Sequence, residues 1–200
     1  MKNVAILLSG RGSNFLALSD AIEDGGVPAR IVRVISNVKA APGLQHARER
    51  GYTALYLPSS GREREDYDRQ VVSELERAGT DIVCLAGFMR LLSPYFVRRF
   101  PSHILNIHPS LLPAFPGLHA QRQALEWGAR VSGCTVHLVD EKLDHGPILL
   151  QRAVPVLDDD DEESLSARIL EQEHKIYPQA LKLICEKRVR IEGRRAHMTE

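Results

Sequence analysis

The chain has 200 residues, 44% apolar and 26% charged, which suits one soluble globular domain and excludes disorder, collagen and coiled coil. Its 26 basic and 26 acidic side chains cancel, so a sequence-independent grip on nucleic acid is not expected. No apolar run approaches the roughly 20 residues needed to cross a membrane. Three well-separated cysteines without a Cys-x-x-Cys pair fit neither a disulfide framework nor a structural zinc site. Free thiols, and a first strand where a signal segment would stand, point to a cytoplasmic protein.

Up to about residue 107, β-branched runs alternate with amphipathic stretches, the pattern of a parallel sheet covered by helices. Strands are predicted at 4–8, 31–36, 53–57, 82–86 and 104–107, and helices at 14–24, 44–50, 64–78 and 93–100. The last helix opens with Ser93-Pro94, a capping residue followed by a proline suited to the first helical position. Further on, residues 132–139 alternate two faces at period 2, and residues 148–154 follow a turn-rich loop, which predicts an antiparallel pair. Six consecutive acids at 158–163 read as the solvated mouth of a helix over about 164–187, bent at Pro178. The basic tail 188–200 is expected to be poorly ordered at its end. The expected fold is α/β: a single Rossmann-like domain, mostly parallel, with an antiparallel C-terminal part and helices on both faces. Residues 1–100 would form its nucleotide and phosphate half, and 101–187 its catalytic half.

Ser9-Gly10-Arg11-Gly12-Ser13-Asn14 joins the first strand to the first helix, where glycines permit a tight turn and free N–H groups attract an anion. A dinucleotide site would need a third glycine and an acid after the second strand, where Ser36 and Asn37 stand. A phosphate monoester fits better, against the plainer reading of a ligand-free turn. Asn106 and His108 end the fifth strand with side chains on one face, at the sheet edge where ligands bind in α/β folds. An amide donor beside an imidazole suits acyl chemistry, since one stabilises an oxyanion and the other moves a proton. Asp144 reaches His108 only through the fold; beside it, a carboxylate favours the protonated ring. Asp140 and Glu141 read as ordinary turn acids.

The chain has eight histidines but no His-Glu-x-x-His spacing, so no metal is expected. His46 and His197 read as surface residues, and His119 and His137 as core or supporting groups. In the long helix, an apolar stripe through Leu165, Ile169, Ile176 and Ala180 is interrupted by Gln172-Glu173. A carboxylate there needs either an ion-pair partner or a substrate hydroxyl.

Together these residues closely resemble the folate-dependent glycinamide ribonucleotide formyltransferases. The resemblance is carried, in family order over nearly the whole chain, by residues 9–14, Leu85-Ala86-Gly87-Phe88-Met89-Arg90, Leu105-Asn106-Ile107-His108-Pro109-Ser110-Leu111-Leu112-Pro113, Pro116-Gly117-Leu118-His119, Leu143-Asp144-x-Gly146-Pro147 and Gln172-Glu173-His174. It implies formyl transfer from the co-substrate 10-formyltetrahydrofolate to the amine of glycinamide ribonucleotide in purine synthesis. Small-molecule substrates, no metal, no nucleic-acid or membrane partner, and a monomer or homodimer come with it.

By the same resemblance Asn106, His108 and Asp144 are the catalytic group. Gly12, Ser13 and Asn14 hold the nucleotide phosphate, Leu170, Glu171, Gln172 and Glu173 border the nucleotide, and Glu173 takes the ribose hydroxyls. Met89, Arg90, Leu91 and Leu92 form the pterin wall, with Arg64 near the benzoyl-glutamate end. Asn106 and the loop Asp140, Glu141, Lys142, Leu143 and Asp144 complete the folate side. Ala114 and Val38 depart from the family, which usually has lysine there. The rival readings are a formyltetrahydrofolate hydrolase, expected to carry a domain ahead of this one, a methionyl-tRNA formyltransferase, expected to carry one after it, and a catalytically silent nucleotide-binding module.

Overall fold

The computed structural model describes residues 1–199. Its nine strands are β1 (Lys2–Leu8), β2 (Ala29–Ser36), β3 (Ala54–Tyr56), β4 (Ile82–Leu85), β5 (Ile104–His108), β6 (Val131–Leu138), β7 (Ile148–Pro155), β8 (Val189–Glu192) and β9 (Arg195–Met198). They form one sheet in the order β3-β2-β1-β4-β5-β6-β7-β9-β8. The first five run parallel; β6 pairs antiparallel with β5, and β7 antiparallel with β6. The expected mostly parallel sheet with an antiparallel C-terminal part is what forms.

The helices are α1 (Ser13–Glu23), α2 (Pro42–Glu49), α3 (Arg64–Arg77), α4 (Pro94–Arg99), α5 (Ala120–Glu126) and α6 (Glu162–Cys185). β1 reads as an unbroken apolar run because both its faces are covered. Val4, Ile6 and Leu8 share one core with Phe15 and Leu18 of α1 and Ile176 and Tyr177 of α6. Ala5 and Leu7 share the other with Tyr67, Val71 and Leu75 of α3 and Phe96 of α4. Burying each such Leu or Ile stabilises the fold by about 1.5–3 kcal/mol. Ser93 caps α4 by accepting from the Phe96 N–H at 3.3 Å.

Two expectations are corrected and one helix is added. Residues 189–198 are not a plain tail: β8 and β9 form a hairpin that joins the sheet beside β7, with Ile148 paired to Arg195, while the expected loss of order at the very end falls on Glu200, outside the described residues. The half-apolar alternation of Val189, Arg190, Ile191 and Glu192 before Gly193 is an edge-strand pattern that its basic composition obscured. Helix α5, too short for a clear period, was not foreseen; it buries Ala120 and Ala124. Finally, α6 starts within the acidic run. Asp161 caps it in a reciprocal capping box with Ser164, and Asp160 is held by Arg168 at 2.6 Å. Pro178 lies inside α6, where it has no N–H to give the His174 carbonyl.

The strand order turns back on itself at β1, which has β2 on one side and β4 on the other. In open α/β sheets such a switch point opens a crevice at the carboxyl ends of the strands. Three segments meet that edge: the turn after β1, the segment after β4, and the end of β5.

Candidate active site

Gly12 precedes α1 with φ 80°, and the first bond within the helix runs from the Leu16 N–H to the Gly12 carbonyl. Helix geometry therefore leaves the N–H groups of Ser13, Asn14 and Phe15 without acceptors inside α1, a ready anion cradle. Gly12 has a second reason to be glycine: a Cβ there would stand 2.5 Å from Gly43 Cα, at the start of α2. The Asn14 side chain turns inward, where its Nδ2 donates to Glu173 Oε2 at 2.7 Å. Its backbone N–H, at the start of α1, is the donor that the helix aims at an anion. Burial pushes the Glu173 carboxyl up from its ordinary range, and the Asn14 amide partly opposes this. Glu173 thus has an amide partner rather than an ion pair. Glu171 lies about 200° around α6 from Glu173, and its exposed side chain is turned away from Asn14. Leu170 and Gln172 are half-buried on intermediate faces.

The segment after β4 is joined to the turn after β1 by one side chain. Ser9 Oγ accepts from the Met89 N–H at 2.8 Å and donates to Asn37 Oδ1 at 2.6 Å. Nothing in the sequence pattern singled Ser9 out, because the bond forms only when β1 and β4 lie side by side. Behind this segment the Arg90 guanidinium stacks on the Tyr67 ring at 4.7 Å, and buried Asp68 accepts from the Ser93 N–H at 2.6 Å. Burial pushes the Tyr67 hydroxyl up to about 12. Met89, Leu91, Leu118 and Leu143 are each at least half exposed, although all are apolar. They come from three different loops, and exposed apolar side chains of this kind are what a flat ring system can cover. Leu92 is half-buried, and Arg64 is exposed at the first position of α3.

Asn106, His108 and Asp144 come together, as does His137. His108 Nδ1 lies 3.4 Å from Asp144 Oδ2, and both side chains are less than a tenth exposed. His108 Nε2 donates to the Phe115 carbonyl at 2.8 Å, which fixes a hydrogen on that nitrogen because a carbonyl only accepts. Asp144 Oδ2 also accepts from the Gly117 N–H at 2.7 Å. Phe115 and Gly117 contribute backbone atoms only, so residue type gave no direct signal for them.

Asn106 Nδ2 donates to His137 Nε2 at 3.1 Å, and His137 Nδ1 donates to the Leu138 carbonyl at 2.9 Å. His137 is therefore held neutral with its hydrogen on Nδ1. Burial pulls it below the ordinary histidine range, against the Leu138 carbonyl and the Asp144 charge. The supporting role expected for His137 fits this geometry. His119 does not: it stands exposed at the head of α5, far from a core position. His46 and His197 are partly exposed, and His197, with its side chain 42% exposed, lies 3.4 Å from Glu192 on the terminal hairpin.

Asp140 and Glu141 behave as loop acids. Asp140 accepts from the Lys142 N–H at 2.9 Å, and Glu141 pairs with Arg98 at 3.0 Å, while Lys142 and Leu143 are exposed. Among the described residues, no cluster of three or more His, Cys, Asp or Glu side chains has a metal-holding arrangement, and no helix is long and apolar enough to cross a membrane.

Comparison with known proteins places this site in a family. Residues 2–181 match the model described as formyl transferase. The trifunctional purine biosynthetic protein adenosine-3 of Drosophila melanogaster is 50% identical over 92% of this chain, which spans only 14% of that protein's length. The phosphoribosylglycinamide formyltransferase of Escherichia coli is 44% identical, with 94% of this chain and 90% of the relative aligned. The crystal structure of glycinamide ribonucleotide transformylase 1 from Symbiobacterium toebii superposes with a TM-score of 0.98 at 49% identity, covering 100% of this chain and 95% of that one. With the match running through the turn after β1, the end of β5 and the loop of Asp144, the chain belongs to the formyl transferase family, on the phosphoribosylglycinamide formyltransferase branch.

Proposed function

We propose that the chain transfers a formyl group from 10-formyltetrahydrofolate to the amine of glycinamide ribonucleotide, a step in purine synthesis. The observation that carries this reading is the buried contact of His108 and Asp144, 3.4 Å apart, with Asn106 on the same strand end. In this reading the catalytic residues are Asn106, His108 and Asp144. Gly12, Ser13 and Asn14 bind phosphate through the backbone, and Glu173 binds the ribose. The exposed apolar side chains of Met89, Leu91, Leu118 and Leu143 receive the folate, with Arg90, Leu92 and Arg64 beside it. Residues 1–100 carry the phosphate turn and one wall of the folate side, and 101–187 the catalytic group, the ribose carboxylate and the folate loop.

The amine attacks the formyl carbon, a new C–N bond forms, and the carbonyl π pair moves onto oxygen. Asn106 uses one amide N–H on His137 and keeps its second for this oxyanion. His108, anchored by the Phe115 carbonyl, presents the Nδ1 edge on the Asp144 side and donates from it when the ring carries its second proton. Collapse of the intermediate breaks the bond from carbon to the folate N10. The proton lost by the amine must reach N10, and the Asp144 carboxylate is the base in position to carry it. His137 is spoken for at both nitrogens and holds Asn106 in its orientation.

Mixing protein, 10-formyltetrahydrofolate and glycinamide ribonucleotide, and following tetrahydrofolate release with and without the nucleotide, tests this. Release that depends on the nucleotide is expected. Nucleotide-independent release would identify a hydrolase, and no release a silent binding module.

A further inference from the structure

We infer that the C-terminal hairpin of β8 and β9 positions the 139–147 loop, with Arg194 and His145 as positioning residues for the folate side of the site. This rests on the reading above, in which that loop bears on the formyl donor. The loop starts at the Val139 N–H bonded to the Ile104 carbonyl and ends where the Pro147 carbonyl accepts from the Leu138 N–H. Between those ends its path is demanding. Asp144 takes φ 46°, and Gly146 packs so closely that a Cβ would stand 1.9 Å from the Leu138 carbonyl oxygen. A segment held in an uncommon backbone conformation needs contacts from outside to stay there.

One outside contact comes from the hairpin. Pairing of Ile148 with Arg195 sets the hairpin turn beside the end of the loop. From that turn Arg194 Nη1 lies 2.6 Å from His145 Nε2 and 3.0 Å from Nδ1. His145 Nδ1 lies 2.8 Å from Asp140 Oδ2, and Asp140 Oδ1 accepts from the Lys142 N–H at 2.9 Å. Only the Nε2 contact of Arg194 is a hydrogen bond, since Nη1 and Nδ1 are both donors once Nδ1 faces Asp140. A carboxylate only accepts, so His145 carries its hydrogen on Nδ1, and Nε2 is left to accept from the guanidinium. Burial alone would push the Asp140 carboxyl up, but the His145 and Lys142 hydrogen bonds and the Arg194 charge outweigh it and hold it below the usual range. His145 is next to Asp144 in sequence, so fixing His145 and Asp140 brackets the carboxylate that faces His108.

The contacts are exposed, so each has a small effect alone. Backbone amide exchange across residues 140–146 in the substrate-free protein should speed up about two- to fivefold in Arg194→Ala and in His145→Ala. Arg194→Lys, which keeps a donor, should recover most of the protection. The KM for 10-formyltetrahydrofolate should rise by a similar factor in Arg194→Ala, with the nucleotide KM and Tm unchanged. Unchanged exchange overturns the inference. So does faster exchange with an unaltered donor KM, or a joint shift of Tm and both KM values. If exchange responds as expected but the wild type transfers no formyl group, the hairpin still orders the loop and the proposed function is what has failed.

Discussion

Asn14 on α1 donates through Nδ2 to Glu173 on α6 at 2.7 Å, and its own Oδ1 is buried without a partner. A carboxylate placed against an amide, with no cation beside it, has not been put there for stability. Burial raises the folded-state value of Glu173 above its ordinary 4.5. The folded protein then holds this proton more tightly than the unfolded chain, so stability falls as pH climbs from 4.5 through the folded value. Glu173→Gln removes that loss, and its amide can donate to the orphaned Asn14 oxygen. Thermal melts should show Tm equal to or above wild type at neutral pH. The nucleotide KM should meanwhile rise about tenfold or more, because a hydroxyl loses a charged acceptor. A lower Tm with normal KM would make Glu173 a structural residue.

The contact of Gly12 with Gly43 constrains how the phosphate turn can be tested. Gly12→Ala must adopt φ 80° and drive a Cβ to 2.5 Å from Gly43 Cα, so a stability loss of about 2–4 kcal/mol is expected. That makes it a poor probe of binding. Gly43→Ala presses on the same contact from the other side, its Cβ meeting Gly12 Cα at 2.8 Å and Leu8 Cδ2 at 3.0 Å; it costs some stability too, but it lies outside the turn and carries no positive-φ strain. Steady-state kinetics should show a raised nucleotide KM and an unchanged folate KM. Equal effects on both substrates would remove the turn from the nucleotide site.

The parallel half was legible because its strands are buried on both faces and read as unbroken apolar runs between helical periods. Asn106 and His108 were legible too, since period 2 alone places both on one face. Glu173 announced itself as a carboxylate in an apolar stripe, although its partner lies 159 positions away and could not be named. Ser9, Phe115 and Gly117 were not legible in their roles. Each acts through a contact that exists only after strands or loops have met, two of them with backbone atoms that any residue possesses. The C-terminal hairpin was misread because its strands are four residues each and half exposed, so basic composition outweighed a short alternation.

His137 gives a pH signature. It is held neutral by the Leu138 carbonyl and the Asn106 amide, and burial keeps its folded-state value below 6.5. Below pH 6.5 the unfolded chain binds a proton that the folded protein resists, so stability is lost as pH falls from there through the folded value. Urea titrations from pH 7 to about pH 5 should show a shallower acid loss for His137→Gln than for wild type. The same variant should lower kcat, since the Asn106 amide loses the partner that orients it. Parallel acid limbs in the two proteins would show that His137 is not the group responsible.

The contact of Asp144 with His108 makes the sharpest test of the proposed chemistry. Asp144→Asn keeps an acceptor for the Gly117 N–H but removes the charge that faces both His108 and His137. The charge is used as the oxyanion forms and the proton moves, so its loss should fall on kcat, by about 10²–10⁴-fold, with folate-analogue affinity changed little. His108→Asn should lose a comparable factor, retaining some rate because an amide still donates a neutral hydrogen bond. If the two residues work as one unit, the double variant should be no more than about tenfold slower than the slower single variant. Single-turnover kcat measured for the four proteins of the cycle decides this. Losses that multiply in full would mean that the 3.4 Å contact carries no catalytic coupling, and that Asp144 acts on the proton without His108.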